Sequence, residues 1–205
     1  MISDEALMLD LQRGSREAFE ELFARYREPL YGFFRRRLAF GGRQNEDRAD
    51  DLAQETFLAV LRGVSRYEPR ALVRTYLYGI GLKLLAAERR KQQRGGPVLE
   101  LASEPAVHEE SETSLWVRQA VEKLDPSERE ILMLREYEQL SYTEIAELLH
   151  LPVNTVRSRL FRARMALKEL LKPQTTPAEE EQRRASATAA AVGEQRTTNL
   201  TRGVQ

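Results

Sequence analysis

Ser141-Tyr142-Thr143-Glu144-Ile145-Ala146-Glu147-Leu148-Leu149-His150-Leu151-Pro152-Val153-Asn154-Thr155-Val156-Arg157 decides the fold of this chain. Ser141 followed by Glu144 is a capping box, in which each residue's side chain satisfies the other's orphan backbone N–H, and it starts a short helix. Ile145, Leu148 and Leu149 supply that helix's buried side. His150 to Pro152 leaves room only for a turn between two helices meeting at a steep angle, the geometry of a helix-turn-helix. His150 reads as a turn residue rather than a ligand.

The second helix runs on from Val153 to Leu171, with Val156, Leu160, Ala163 and Leu167 recurring every three or four residues toward the core. Asn154, Thr155, Arg157, Ser158, Phe161 and Arg162 fall on other sides, the first of them near the N-terminus, where a recognition helix meets base edges in a major groove. Phe161 is also expected to be partly core. Arg159, Arg164 and Lys168 are better placed for phosphates, which give affinity but little sequence information. The bland alternative is an amphipathic helix whose arginines form a solvated face. Cap, short turn and basic helix in this order favour DNA binding.

Outward from this motif the chain is helical. Helices are predicted at Thr113 to Leu124, Ser127 to Tyr137 and Ser141 to Leu149, with Pro126 and Pro152 at or just before first turns. Toward the N-terminus, Ser15 caps a helix with Ala18, Phe19, Leu22, Phe23 and Tyr26 in one stripe. Pro29 is expected to reset the chain before Leu30, Tyr31, Phe33, Phe34 and Leu38. A loop over Gly41 to Arg48 precedes a helix from Asp50 to Arg62, and Tyr67-Glu68-Pro69 separates it from a long helix, Ala71 to Gln93. Gly, Pro and acidic residues between Gly95 and Ser111 read as a linker, and the polar tail from Pro173 as disordered. The expected fold is all-α: two small helical domains, 1–94 and 113–172, joined by a flexible acidic linker, 95–112, with a tail at 173–205.

Composition narrows the function. Cysteine is absent and His108 and His150 are the only histidines, which removes disulfides, thiol chemistry and most metal sites. Gly41-Gly42 and Gly95-Gly96 lack the spacing of a phosphate loop. No cofactor and no enzyme activity are expected. The 32 basic and 32 acidic residues cancel, but in segregated blocks: Arg35-Arg36-Arg37, Arg89-Arg90-Lys91 with Arg94, and the arginines from Arg157 onward, against Glu100, Glu104, Glu109, Glu110 and Glu112. Separate surfaces for separate partners follow. No apolar run approaches the roughly 20 residues of a spanning helix, and Ser3-Asp4-Glu5 does not open a signal peptide. A cytoplasmic location without membrane insertion is expected.

Asp50-Asp51-Leu52-Ala53-Gln54-Glu55-Thr56-Phe57-Leu58-Ala59-Val60-Leu61-Arg62 divides at helical period into an inward side, Ala53, Phe57, Val60 and Leu61, and a second stripe, Asp51, Gln54, Glu55, Leu58 and Arg62. A leucine within the polar stripe makes a protein partner plausible there.

This segment resembles the core-binding segment of the sigma-70 family of transcription initiation factors. The closest resemblance is to the two-domain extracytoplasmic-function (ECF) group. It covers roughly Asp10 to Lys172 and is strengthened by Leu124-Asp125-Pro126-Ser127-Glu128-Arg129-Glu130 together with Thr155-Val156-Arg157-Ser158-Arg159-Leu160-Phe161-Arg162-Ala163-Arg164. The resemblance implies that Asp51, Gln54, Glu55 and Leu58 bind the clamp helices of core RNA polymerase. It implies that the helix Val73 to Arg94 melts and reads the minus-ten element of promoter DNA. It also implies that the second domain reads the minus-thirty-five element and meets the polymerase flap, that the acidic linker follows the RNA exit path, and that an anti-sigma factor controls availability. For minus-ten DNA the candidates are Tyr76, Lys83, Arg89, Arg90, Lys91 and Arg94, with Tyr78 as further aromatic surface; for Tyr76 core packing is the preferred reading. Where many members read Trp-Leu-x-x-Ile-Ala-Arg-Asn, this chain has Tyr76-Leu77-Tyr78-Gly79-Ile80-Gly81-Leu82-Lys83, and Ala87 replaces a frequent Asp. The family's minus-ten preference is not transferable across that change.

Two rivals differ in kind. A two-component or quorum-type regulator shares the helix-turn-helix but needs a receiver or ligand domain with strands. A helical adaptor would bind a partner through the Asp51 to Arg62 face and ignore neutralisation of Arg157 and Arg162.

Overall fold

A computed structural model describes residues 2–39, 46–69, 72–94 and 111–172, all of them helix or connecting turn. The linker residues 95–110 and the tail 173–205 lie outside the described residues, as do the expectations placed on them. Eight α-helices are described: α1 Asp4–Gln12, α2 Arg16–Ala39, α3 Glu46–Gly63, α4 Val73–Arg94, α5 Glu112–Glu122, α6 Pro126–Glu136, α7 Tyr142–Leu149 and α8 Val153–Leu170.

Helix α1 was not anticipated from the sequence. Ser3 caps it, its hydroxyl accepting from Ala6 N at 3.2 Å, and Leu7, Met8 and Leu11 are buried. Gly14, at φ +95°, turns the chain into α2 in the left-handed region that glycine enters without steric cost. Ser15 then accepts from Ala18 N at 3.2 Å, as the sequence predicts.

The break expected at Pro29 does not occur; α2 continues through it. Pro29 is exposed, and the missing hydrogen bond faces away from the core. Burial on both sides of it, of Ala18 and Leu22 before and of Leu30, Phe33 and Phe34 after, holds the helix continuous. Helix α3 begins before the predicted Asp50, and Leu61, expected to face inward, is 40% exposed. Ala53, Phe57 and Val60 are buried as expected.

Helices α1 to α4 pack on one another around Phe33, Phe34, Leu52, Phe57 and Leu77. The aromatic rings of Phe33, Phe34 and Tyr78 interlock, with centroids 5.1 Å apart in both Phe33–Phe34 and Phe33–Tyr78. Gly81 belongs to this packing: a Cβ there would lie 3.0 Å from Phe33 Cε1 and 3.3 Å from Phe34 Cζ. The glycine that departs from the family pattern makes room for this aromatic cluster. In the second half, Ile131, Met133, Leu134, Leu140, Ile145, Val156, Leu160 and Ala163 form an aliphatic core.

The two halves also touch directly. Arg36 and Arg37 of α2 and Arg74 of α4 reach Glu130, Glu138 and Glu144 of the second half.

Candidate nucleic-acid interface

The capping box forms as the sequence dictates. Glu144 N donates to Ser141 Oγ at 3.2 Å, and Ser141 N donates to Glu144 Oε2 at 2.9 Å. His150 takes the left-handed conformation at φ 53° and ψ 46°, and Leu151 N closes the turn on the Ala146 carbonyl at 2.9 Å. That conformation ends α7 and turns the chain into α8 within three residues.

At that end Asn154, Arg157, Ser158, Phe161 and Arg162 are exposed and Thr155 is half-buried. Phe161 is 65% exposed, which corrects the expectation that it is partly core. At about 100° per residue Phe161 lies roughly 100° or more round the helix from Val156, Leu160 and Ala163, so only its aromatic character suggested core; the aliphatic core closes without it. Val156, Leu160 and Ala163 are buried, so this helix presents one face to the protein and leaves the polar face open. Arg157 has no intramolecular partner among the described residues, whereas Arg162 is held by Glu128 at 2.6 Å and Arg164 by Glu136 at 2.7 Å. Both acids sit on α6, so that helix spaces the cations of α8.

On α4, Lys83, Arg89, Arg90 and Lys91 are exposed; Arg94 ends the helix. Tyr76 is half-buried, its ring 5.4 Å from that of Tyr67. Tyr78, proposed as aromatic surface, is instead 5% exposed, and burial raises its phenol well above the ordinary tyrosine range. It is a core residue because α4 turns this side toward Phe33.

On α3, Asp51, Gln54 and Leu58 are exposed and Glu55 is half-buried. Arg48 binds Glu55 at 2.9 Å and Glu88 of α4 at 2.7 Å, with Asp51 at 3.6 Å, and Gln54 donates to Asp50 at 2.6 Å. Beside this stripe lies a groove of about 280 Å³ lined by Phe19, Phe23, Ala53, Phe57, Leu58 and Leu61. The rings of Phe23 and Phe57 meet in its lining, tilted at 52° with centroids 4.8 Å apart. Phe23 and Leu61 were read as inward residues, and their part in an open groove was missed; the signal was an apolar arc on α3 wider than one neighbouring helix covers. Among the described residues no cluster of His, Asp and Glu is arranged to hold a metal ion, and no helix is long and apolar enough to cross a membrane.

The profile of Sigma-70 region 2 matches residues 22–95, and that of Sigma-70 region 4 matches residues 114–167. The RNA polymerase sigma-H factor of Pseudomonas aeruginosa is 30% identical over 187 residues, covering 83% of this chain and 94% of the relative. This chain belongs to the sigma-70 family. The ECF RNA polymerase sigma-E factor of Escherichia coli K12 is 29% identical over 189 residues, 84% of this chain and 96% of that one. Among solved structures, CnrH in complex with the cytosolic domain of CnrY superposes with a TM-score of 0.60 at 27% identity, covering 82% of this chain and 96% of that one. The sigma factor RpoE in complex with the anti-sigma factor NepR, from Bartonella quintana, shares the fold with a TM-score of 0.58 at 23% identity, over 76% of this chain and 98% of that one. The sigma factor described here is thus an ECF protein that directs promoter-specific initiation of transcription by RNA polymerase. Its family is one of non-catalytic initiation factors. The region 2 match falls on α2 to α4 and the region 4 match on α5 to α8.

Proposed function

We propose that three surfaces divide the work of this sigma factor among residues 1–94, 95–112 and 113–172, with 173–205 as an added tail. Asn154, Thr155, Arg157, Ser158, Phe161 and Arg162 read the minus-thirty-five element. Tyr76, Lys83, Arg89, Arg90, Lys91 and Arg94 carry the minus-ten strand. Asp51, Gln54, Glu55 and Leu58 dock on the polymerase clamp, and region 4 also meets the flap. The observation that carries this reading is the open polar face at the N-terminus of α8, set behind a tight turn, with Arg157, which has no partner among the described residues, on it.

The chemistry follows from the positions. Arg157 offers a bidentate fork to a guanine edge, and Phe161 an apolar face to a thymine methyl. Arg162 exchanges Glu128 for a phosphate or base. On α4 the exposed cations follow a displaced strand by its phosphates. On α3 the groove beside Leu58 takes an apolar side chain from the clamp, while Asp51 and Gln54 fix its register. CnrH is bound by the cytosolic domain of CnrY, and the sigma factor RpoE of Bartonella quintana by the anti-sigma factor NepR; an anti-sigma protein covering these faces in the cytoplasm is the regulator we assign here.

In vitro transcription with core polymerase tests the division. Arg157→Ala lowers promoter-specific output about 10- to 100-fold, the equivalent of about 1–3 kcal/mol for a lost base contact, and leaves core binding intact. Leu58→Ala with Gln54→Ala does the reverse. If Arg157→Ala and the α3 variant fail in the same step, the division is wrong.

A further inference from the structure

Helix α1, Asp4–Gln12, lies ahead of residues 22–95, the stretch matched by the region 2 profile, and none of the site residues named above is on it. One side of it is anchored to α2. Asp4 accepts from Arg25 Nη1 at 2.6 Å and from the Tyr26 hydroxyl, and Arg25 Nη1 also donates to the Ile2 carbonyl at 2.9 Å. Leu7, Met8 and Leu11 bury the helix against the rest of the core.

The other side of α1 grips the connection between α3 and α4 at both of its ends. At the near end Gln12 Nε2 donates to three carbonyls, those of Val64 at 3.1 Å, Ser65 at 3.2 Å and Tyr67 at 3.2 Å. The first two belong to the single 3₁₀ turn Val64–Arg66 that follows α3. At the far end Glu5 Oε1 accepts from the backbone N–H of Val73, the first residue of α4, at 3.3 Å. Closing carbonyls of one helix and opening N–H groups of the next have no partner within their own helices, and α1 supplies both kinds. The Glu5 carboxylate also meets the positive end of the α4 dipole. The Gln12 amide has to present its nitrogen here, since its oxygen would set one acceptor against three others.

An aromatic pair depends on that connection. The rings of Tyr67 and Tyr76 meet edge to face, 5.4 Å apart at 61°. Tyr67 is buried and its hydroxyl has no hydrogen-bond partner among the described residues, so backbone and packing alone fix the ring. The Tyr76 hydroxyl lies against Gly63, where a Cβ would be 3.2 Å from it. Tyr76 therefore sits between Gly63 and Tyr67, and the carbonyls held by Gln12 belong to the stretch of chain that joins these two neighbours. A shift of that stretch moves the surroundings of Tyr76.

We propose that α1 is a brace for promoter opening: Gln12 and Glu5 are positioning residues that hold the α3–α4 connection, and through it Tyr76, in the setting that captures the minus-ten strand. The proposal rests on the assignment of Tyr76 to that strand made above. Opening a duplex costs unstacking and unpairing energy, which contacts to the extruded strand have to offset. A stacking surface held out of place offsets less of it.

The test is promoter opening by holoenzyme assembled from core polymerase and the full-length chain, read as permanganate reactivity of thymines in the minus-ten element, with core binding measured in parallel. Gln12→Ala lowers opening about three-fold, and Gln12→Glu, equal in size but with no donor to offer three carbonyls, about ten-fold. A packing role for the side chain predicts the reverse order. Glu5→Ala, which uncaps α4, lowers opening about three-fold. All three variants bind core polymerase as the wild type does, and all three transcribe normally from a template already unpaired across the minus-ten element, where no opening has to be driven. Adding Gln12→Glu to Tyr76→Ala deepens the loss little, because both act through one ring. Wild-type opening by Gln12→Glu, a defect that persists on the unpaired template, or full additivity with Tyr76→Ala overturns the brace. Normal opening by Tyr76→Ala overturns the minus-ten assignment of Tyr76 instead.

Discussion

Region 2 and region 4 are both all-helical, yet they specify their helices by different means. In region 4, α5 and α6 have 11 residues each and α7 has 8, lengths at which an isolated helix is marginal in water. Each begins with a side-chain cap: Ser111 on Ser114 N at 3.2 Å, Asp125 on Ser127 N at 2.9 Å, and Ser141 on Glu144 N at 3.2 Å. Region 2 adds to the short, Ser3-capped α1 three long helices of 24, 18 and 22 residues that tolerate a proline and three interior glycines, Gly32, Gly79 and Gly81. Their order comes from the faces they bury, with aromatic rings dominating around Phe33. Short helices need local signals, and long ones can rely on tertiary packing.

The largest effect should come from the packing side of this contrast. Phe33→Ala removes a ring that is 0% exposed and leaves Phe34, Tyr78 and Arg37 lining a void; Arg37 stacks 3.7 Å from its centroid. A loss of about 3–5 kcal/mol is expected in urea unfolding. A loss below about 1 kcal/mol would remove the aromatic cluster as the organiser of region 2.

The two glycines of α4 sharpen the same point. Alanine gains about 1 kcal/mol over glycine in a helix interior. At Gly79 the new Cβ makes ordinary contact at 3.4 Å, so Gly79→Ala stabilises by about 0.5–1 kcal/mol. At Gly81 it meets Phe33 at 3.0 Å and Phe34 at 3.3 Å, rings that are fully buried and cannot give, so Gly81→Ala loses a net 1–2 kcal/mol or so. Equal signs for the two variants would refute the packing account of the family departure.

The same contrast explains what was legible in the sequence. The helices of region 4 were placed within a residue or two, because Ser141, Glu144, Asp125 and Pro126 announce helix starts by their own hydrogen bonds. Local chemistry is written in sequence order. In region 2, Pro29 reads as a stop on any local rule, and only the burial of Leu22, Leu30 and Phe33 along one face overrides it. Leu61 and Phe23 form an open groove, and Tyr78 is core, because of which helix happens to lie opposite. The exposed face of α8 was legible from the register of Val156, Leu160 and Ala163, and that register places Phe161 outside as well; its aromatic side chain alone suggested core. The ion pairs between Arg37 and Glu130 or Glu138 join residues about a hundred positions apart. No local pattern reports such a contact.

Region 4 should respond most to loss of a cap. Ser141→Ala removes the acceptor for Glu144 N while the reciprocal bond, donated by the backbone N–H of residue 141 to Glu144 Oε2, stays available, and costs about 1 kcal/mol. An uncapped region 4 that unfolds at an unchanged urea concentration would erase the difference between the two halves.

The smallest effect under ordinary conditions concerns pH and again turns on Glu144, which both closes the capping box of α7 and pairs with Arg74 of α4. Burial pushes its carboxyl up, but the Arg74 guanidinium and the Ser141 hydroxyl and backbone N–H outweigh that and bring it from 4.5 down to about 2. A carboxylate whose folded value lies below its unfolded one stabilises the fold fully above the unfolded value, and that contribution fades as pH falls through the folded one. Nothing should therefore change between pH 8 and about 5, and stability should decline from about pH 4.5 toward 2. Glu144→Gln, measured by urea unfolding across that range, should flatten the acid limb relative to wild type. Asp125 is a cap of the same sign, lowered first by the Ser127 hydroxyl, but it faces solvent. Asp125→Asn measured alongside Glu144→Gln separates the two contributions. If the Glu144→Gln variant keeps the wild-type acid limb, the carboxylate is not the group that ties the cap of α7 to Arg74.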